Sequence, residues 1–231
     1  MANMAIIPAR GGSKRIPRKN IREFMGRPMI SYAISAALES DVFEEVMVST
    51  DDAEIAAVAR DCGAAVPFMR SRRNSGDNAG TLEVVQEVLS KYADTGKVFE
   101  VVACIYPCAP FLTGDILQSA YRRFSETDVD LLLPVVQYSH PVQRAMQING
   151  EGLLVYREPA QAGRRTQDLE PMFHDVGMFY FAKASVCESG DIRRRGCYEI
   201  SSLNSQDIDT MEDWRIAEIK YKVLQDAQDR T

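Results

Sequence analysis

The sequence is poor in the residues and motifs that define several common classes of protein. Its 231 residues include only two histidines, and its five cysteines (62, 104, 108, 187 and 197) are widely spread, so no Cys/His cluster has zinc-site spacing. No apolar run approaches the ~20 residues of a membrane span, and the N-terminus lacks the basic-then-apolar layout of a signal peptide. We therefore expect a cytoplasmic protein without membrane contact, whose thiols are buried or idle.

Common nucleotide-binding and catalytic motifs are also missing. The chain contains neither the P-loop pattern Gly-x-x-x-x-Gly-Lys-Ser/Thr nor the dinucleotide pattern Gly-x-Gly-x-x-Gly. The missing glycines argue against a nicotinamide-dependent oxidoreductase. No Ser/His/Asp arrangement or nucleophile elbow is visible, and the two histidines, His140 and His174, favour structural or surface roles over a catalytic pair.

Positive charge is scarce except at the N-terminus. Residues 1–30 hold seven Lys/Arg side chains and one acid, a net charge of +6, whereas the remaining residues carry a net charge of −12. The acidity of the whole chain argues against a general nucleic-acid binder, because such proteins usually present a basic domain. A basic segment on an acidic protein indicates a site for a strong anion such as a polyphosphate.

The basic segment is a glycine-containing loop that directly follows an apolar run. Met4–Ile7 predicts a buried strand that ends at Pro8. Gly11 and Gly12 would let the backbone approach a phosphate closely, and the hydroxyl of Ser13 offers a donor. Four cations that could neutralise a triphosphate lie in the same loop: Arg10, Lys14, Arg15 and Lys19. A solvated basic loop is the alternative, but charge, glycines and strand end together favour an anion site.

Strands alternate with helices up to about Gln137. This order predicts an α/β fold with an open, mostly parallel, Rossmann-like sheet and helices on both faces. Thr81, Thr113 and Thr210 stand where helix N-caps are expected. Ligands of such sheets bind at the carboxyl ends of the strands. Four segments should therefore meet on one rim: Arg10–Asn20, Ser49–Asp52, Arg70–Thr81 and Tyr106–Leu112.

Residues 1–231 predict a single domain with a small β-rich insertion at 138–182. Within the insertion, two short apolar segments flank Asn149-Gly150, a pattern typical of a hairpin with an Asn-Gly turn. Such an insertion could form a lid over the site or an arm used for dimerisation.

A second candidate site lies near the C-terminus, in the segment Gln206-Asp207-Ile208-Asp209-Thr210. Alternate side chains of an extended segment point the same way, so Asp207 and Asp209 could face one hard cation such as Mg²⁺. The alternative is that Asp209 caps the last helix and Asp207 is solvated. A triphosphate loop elsewhere favours the metal, because nucleotidyl transfer commonly needs a divalent cation between protein and phosphates. Arg70 could likewise reach a ligand or form a surface ion pair.

The N-terminal motif resembles the signature of a known enzyme family. Residues 6–14, Ile-Ile-Pro-Ala-Arg-Gly-Gly-Ser-Lys, followed by Pro17 and Lys19-Asn20, are similar to the start of the CMP-sialic acid synthetases, or acylneuraminate cytidylyltransferases. Further similar segments follow in the family's order and extend the resemblance over almost the whole chain: 49–52, 67–70, the prolines at 107 and 110, and 207–210. Segments 80–84, 104–107, 141–145 and 174–180 resemble the pseudaminic acid cytidylyltransferase branch most.

This resemblance implies an enzyme that couples CTP to a nine-carbon 2-keto sugar acid and releases pyrophosphate. On the pseudaminic branch the product would be CMP-pseudaminic acid, made for surface or flagellar glycans. Legionaminic or N-acetylneuraminic acid is the alternative substrate. A non-catalytic nucleotide-sensing module is the alternative from another class, and the Asp207/Asp209 pair argues against it. Members of the family dimerise, and the insertion of one subunit often leans over the other's site, so a homodimer is implied.

The resemblance also implies roles for individual residues. Lys19, Asp207 and Asp209 would be catalytic, and the two aspartates would hold Mg²⁺. The residues expected to bind CTP are Arg10, Gly11, Gly12, Ser13, Lys14, Lys19, Asn20, Arg70, Gly80 and Thr81. The candidates for reading the sugar are Gln143, Arg165, Gln167, His174 and Tyr180. Arg15 and Arg18 are not shared across the wider family.

Overall fold

The computed structural model describes residues 2–76 and 79–228. The strands are β1 (Asn3–Pro8), β2 (Glu23–Phe24), β3 (Arg27–Pro28), β4 (Glu45–Ser49), β5 (Val101–Ile105), β6 (Leu131–Gln137), β7 (Met146–Ile148), β8 (Leu154–Tyr156), β9 (Phe173–Asp175), β10 (Phe179–Lys183) and β11 (Arg195–Glu199). The α-helices are α1 (Met29–Glu39), α2 (Ala53–Asp61), α3 (Thr81–Ala93), α4 (Gly114–Ser125), α5 (Ala184–Ser189) and α6 (Met211–Gln228). Short 3₁₀ helices cover 72–74, 142–144, 159–161, 166–168 and 202–204.

Seven strands form the central sheet, in the order β4-β1-β5-β10-β6-β11, with β9 paired to β6. The pairs β1–β4, β1–β5 and β11–β6 are parallel, whereas β10 runs antiparallel to both β5 and β6. The strand β9 is antiparallel to β6. The predicted α/β fold with a mostly parallel sheet is thus confirmed.

Helices cover both faces of the sheet, because its central strands are apolar on both sides. In β1, Ala5 and Ile7 pack into a core that includes residues of α1, α2, α4 and α6. The alternate residues Met4 and Ile6 pack on the opposite face against α3 and α5. All four side chains are fully buried, so the loop after β1 starts from a rigid support.

Two of the three predicted helix caps are present. The Thr113 hydroxyl accepts a hydrogen bond from the Ile116 amide at the start of α4. At α6, Thr210 and Asp213 each accept a hydrogen bond from the other's backbone amide, as in a capping box. The prediction for α3 was wrong: Gly80 is its N-cap residue, and Thr81 is already in the helix with its hydroxyl bonded elsewhere.

The insertion contains the predicted hairpin, formed by β7 and β8. Its connection is longer than a two-residue Asn-Gly turn and runs from 149 to 153. The Asn149 side chain accepts hydrogen bonds from the amides of Glu151 and Leu153, and this closes the wider loop. The last part of the predicted insertion belongs to the central sheet: β9, a strand that the sequence did not predict, pairs with β6, and β10 lies between β5 and β6. Among the described residues, no helix is long and apolar enough to cross a membrane.

Candidate functional site

A cleft of about 620 Å³ opens at the rim of the sheet where β1, β5 and β11 end and β10 begins. This is the edge at which open α/β sheets bind ligands. Its wall combines the basic loop, the residues after β5, the start of β10 and the acidic segment before α6. The wall residues are Pro8, Arg10, Ser13, Lys14, Arg15, Lys19, Asn20, Tyr106, Pro107, Cys108, Gly177, Tyr180, Asp207 and Asp209.

The basic loop is held in shape from below. Ile16 is fully buried in the middle of the loop and fixes it to the core. Asn20 is also buried, and its Nδ2 donates to the Arg10 carbonyl at 3.0 Å. Its Oδ1 accepts from the Cys108 thiol at 3.5 Å. Burial raises the pKa of Cys108 to about 12, so the group is a neutral donor. Asn20 thus ties both ends of the loop to the residues after β5.

The residues after β4 contact Gly11 of the basic loop. The Gly11 amide donates to Asp51 Oδ1 at 3.0 Å. A Cβ atom on Gly11 would lie 2.6 Å from Asp52 Oδ2, so this position needs glycine, whereas a Cβ on Gly12 would meet nothing within 4 Å. The backbone at Gly12 is therefore open to approach, although neither glycine is among the wall residues of the cleft.

Arg18 supports the loop from outside the cleft. It has a positive φ of 56° and donates to the carboxylates of Asp52 and Glu54. The hydrogen bond from Arg18 holds the pKa of Asp52 below its usual range. Asp52 also accepts from the first amides of α2, so one carboxylate joins the loop to that helix. Arg18 is therefore a structural residue.

The acidic segment meets the basic loop on the cleft wall. Ile208 is buried, with 1% of its surface exposed, and the side chains on either side of it, Asp207 and Asp209, face the cleft. Lys19 Nζ donates to the Ile208 carbonyl at 2.5 Å and lies 3.6 Å from Asp209 Oδ1. Arg15 Nη2 lies 2.8 Å from the same oxygen. Two segments 189 residues apart in the chain thus form one surface.

The carboxylate pair has the chemistry of a hard-cation site. Asp209 does not cap α6, since Thr210 and Asp213 do so. Partial burial and the charge of Asp209 raise the pKa of Asp207, so a cation between the two would be stabilised. Among the described residues, no third His, Cys, Asp or Glu completes a cluster. Mg²⁺ commonly uses one or two carboxylates, and takes its other oxygens from phosphates and water. The donor set fits that pattern.

Arg70, Gly80 and Thr81, which the resemblance assigned to CTP binding, are not among the wall residues of the cleft. Arg70 is buried, donates to the side chain and the carbonyl of Ser49, and has its pKa lowered by burial, so the alternative of a surface ion pair does not apply. The Thr81 hydroxyl lies 3.0 Å from the hydroxyl of the wall residue Tyr106. The segment between Arg70 and Thr81 includes residues 77 and 78, which lie outside the described residues.

The five candidate sugar-reading residues separate into two groups. Tyr180 lines the cleft and donates to Asp175 Oδ2 at 2.6 Å. His174 lines a side cavity of about 410 Å³ that shares Asp207 with the cleft. The other three, Gln143, Arg165 and Gln167, lie on the insertion and do not line the cleft of their own chain. Gln143 donates to the Glu170 carbonyl, and Arg165 is paired to Asp168.

Tyr106, Cys108 and Gly177 lie on the wall without an individual role assigned from the sequence. The sequence did place the segment Tyr106–Leu112 on this rim, because it directly follows the buried strand β5. The ring of Tyr106 packs edge-on against Tyr180, with centroids 5.6 Å apart. Gly177 has a positive φ of 62° and donates to Asp175, a turn that sets the start of β10.

Comparisons with known proteins identify the relatives of this chain. Residues 4–161 match the family model described as cytidylyltransferase. The chain is 39% identical over 226 residues to the pseudaminic acid cytidylyltransferase of Campylobacter jejuni, covering 96% of this chain and 97% of that one. It is 32% identical over 235 residues to the CMP-N,N'-diacetyllegionaminic acid synthase of Legionella pneumophila, covering 98% and 99%.

A solved structure matches the fold over the whole length. It is a CMP:2-keto-3-deoxy-manno-octonic acid synthetase complexed with CTP, with a TM-score of 0.71 and 16% identity, covering 98% of this chain and 100% of that one. At this identity the likeness shows a common fold. The family model and the two relatives of matching length show that the protein belongs to the cytidylyltransferase family.

Proposed function

We propose that the protein is a Mg²⁺-dependent cytidylyltransferase that couples CTP to pseudaminic acid and gives CMP-pseudaminic acid and pyrophosphate. One observation carries the chemistry: Lys19 joins the basic loop to Asp209 and to the carbonyl of Ile208. The basic loop and the carboxylate pair therefore share one cleft. The identity of 39% with a pseudaminic acid enzyme over nearly the full length supports the choice of sugar.

The basic loop would bind the triphosphate. Arg10, Lys14 and Lys19 lie on one wall and supply charge, while the backbone at Gly12 leaves space for close approach. Asn20 holds the loop in this shape through its bond to the Arg10 carbonyl. Because these groups are already oriented, little reorganisation is needed when phosphate binds.

The transfer step needs alignment and charge stabilisation more than covalent help from the protein. The anomeric hydroxyl of the sugar attacks the α-phosphorus, and pyrophosphate leaves. Asp207 and Asp209 would hold Mg²⁺, which when bound supplies positive charge for the phosphates and lowers the pKa of the attacking hydroxyl. Lys19, beside Asp209, would place its ammonium group next to the same phosphates.

The sugar would lie towards Tyr180 and His174, on the side of the cleft away from the basic loop. We propose that the insertion of a second subunit completes this side in a homodimer. The insertion exposes a set of large apolar side chains that suits such a contact: Met146, Ile148, Leu153, Leu154, Met172 and Phe173. In the dimer, Gln143, Arg165 and Gln167 would approach the partner's cleft.

The test measures pyrophosphate release with CTP, Mg²⁺ and each of three sugars: pseudaminic, legionaminic and N-acetylneuraminic acid. Fast turnover with pseudaminic acid alone is the expected result. Preference for legionaminic acid would contradict the choice of sugar and would match the name of the 32% identical relative. Tight CTP binding without turnover on any of the three would support a nucleotide-sensing module instead.

A further inference from the structure

Arg15 contacts the carboxylate that the proposed metal site needs. Its Nη2 lies 2.8 Å from Asp209 Oδ1, closer than Lys19 Nζ, which lies 3.6 Å from the same oxygen. Lys19 is also fixed by its bond to the Ile208 carbonyl, whereas the Arg15 side chain is 64% exposed. Arg15 is therefore the more mobile of the two cations at Asp209.

Arg15 and a divalent cation would compete for this carboxylate. Mg²⁺ binds carboxylate oxygens at about 2.0–2.1 Å, and a guanidinium that donates to the same oxygen both occupies its lone pair and repels the metal. Among the ion pairs of the described residues none is formed by Asp207, and the charges of Lys19 and Arg15 act on it from a greater distance than on Asp209. The direct competition for a carboxylate oxygen is therefore at Asp209.

A triphosphate would remove Arg15 from Asp209. Arg15 lines the same wall as Arg10 and Lys14, so phosphate in the cleft would come within reach of its guanidinium. Phosphate offers a guanidinium two parallel hydrogen bonds and more negative charge than one carboxylate. Arg15 would then exchange Asp209 for phosphate.

We propose that Arg15 couples the binding of the triphosphate to the binding of the divalent cation. It occupies Asp209 until a triphosphate enters, then bonds to the phosphate and leaves Asp209 to the metal. This inference rests on the proposed function, since it assumes a metal at Asp207 and Asp209. By linkage, the metal raises the affinity for the triphosphate by the same factor. Arg15 acts through Asp209 and is a positioning residue.

The first experiment measures Mn²⁺ binding to the full chain without nucleotide, by the loss of the free-Mn²⁺ electron paramagnetic resonance signal. Arg15→Gln should bind Mn²⁺ about fivefold more tightly than the wild type. This factor corresponds to the free energy of a partly exposed ion pair. Arg123→Gln removes the same charge from an exposed position on α4 and should leave the affinity unchanged. Arg15→Lys keeps the charge and should return the affinity towards the wild-type value.

The second experiment measures CTP binding with and without Mn²⁺. The dissociation constant of CTP without Mn²⁺, divided by the dissociation constant with Mn²⁺, measures the coupling. This ratio should be about fivefold smaller for Arg15→Gln than for the wild type. Chelation of Mn²⁺ by free CTP is the same in both and cancels in the comparison. Equal ratios, or Mn²⁺ affinity that is unchanged or weaker in Arg15→Gln, would overturn the coupling.

Failure of the coupling can be told apart from failure of the metal site. Asp209→Asn should lose most of the Mn²⁺ binding whatever Arg15 does. If Asp209→Asn binds Mn²⁺ like the wild type, the metal is not at this pair, and the metal part of the proposed function fails together with the coupling. If Asp209→Asn loses binding but Arg15→Gln does not gain it, the metal site stands and only the coupling is wrong.

Discussion

At the scale of single residues, Asp209 is where charge matters more than shape. The change Asp209→Asn keeps the size of the side chain and removes the negative charge beside Lys19 and Arg15. We expect pyrophosphate release to fall by about 10²-fold or more, because charge stabilisation of the phosphates is lost. Asp94→Asn, at the exposed end of α3, is the matched control. Near-normal turnover of Asp209→Asn at an unchanged melting temperature would contradict the catalytic role.

The two glycines of the basic loop should respond differently to the same substitution. In Gly11→Ala the new methyl group would lie 2.6 Å from Asp52 Oδ2. This overpacking should lower the free energy of unfolding by about 1–3 kcal/mol. In Gly12→Ala the methyl group meets no protein atom within 4 Å, so stability should stay the same.

CTP binding should distinguish Gly12→Ala even though its stability does not change. If the phosphates pass over Gly12, then Gly12→Ala should raise the KM for CTP without changing the melting temperature. Chemical denaturation and CTP kinetics on both variants provide the measurement. A stable Gly12→Ala with wild-type CTP kinetics would remove this residue from the binding site.

At the scale of elements, Glu87 on α3 organises the segment that follows Arg70. It accepts hydrogen bonds from the amide and hydroxyl of Ser71, from Asn74 and from Lys91. Burial works to raise the pKa of Glu87, but the bonds from Lys91, Ser71 and Asn74 outweigh it and lower the pKa to about 2. The sequence showed no sign of this role, since the partners lie up to 16 residues away.

The stability contribution of Glu87 should depend on pH. A carboxyl whose pKa is lower in the folded state stabilises the fold above its unfolded pKa and loses that contribution as pH falls through its folded pKa. Glu87→Gln should therefore cost about 2 kcal/mol at pH 7. The deficit should shrink between about pH 4.5 and pH 2.

Urea unfolding of the wild type, Glu87→Gln and Glu39→Gln at pH 7, 5 and 3 tests this dependence. Glu39 is exposed near the end of α1 and serves as the control. A Glu87→Gln deficit that stays constant from pH 7 to pH 3 would show that packing, not charge, carries the effect.

At the scale of the whole molecule, the exposed apolar side chains of the insertion predict self-association. Leu154 is 62% exposed on the hairpin, so Leu154→Asp should weaken the proposed homodimer and shift the mass measured by light scattering towards the monomer. Turnover should fall more than the affinity for CTP. The sugar side of the cleft would need the partner's insertion, whereas the basic loop that binds CTP belongs to the same chain as the cleft. Ile219→Asp changes an equally exposed residue (63%) on α6. If both variants remain dimers, the insertion is not the interface.

The sequence predicted the sheet and its helices because their signals are local. Apolar runs such as Met4–Ile7 and the spacing of apolar residues in α1 report burial directly. Where predictions were wrong, a distant contact had overridden a local preference. Thr81 bonds to Tyr106 and so is not the cap of its helix, and β9 is a strand only because β6 offers it an edge.

The sequence by itself determined the fold class, the positive charge of the loop from Arg10 to Lys19 and the alternation that turns Asp207 and Asp209 the same way. These properties depend on neighbours in the chain. Only the tertiary structure decided that the loop and the aspartates share a cleft, that Arg15 lies on Asp209 and that Arg70 is buried behind Ser49. Strand order brings such distant residues together, and it depends on the packing of the whole chain.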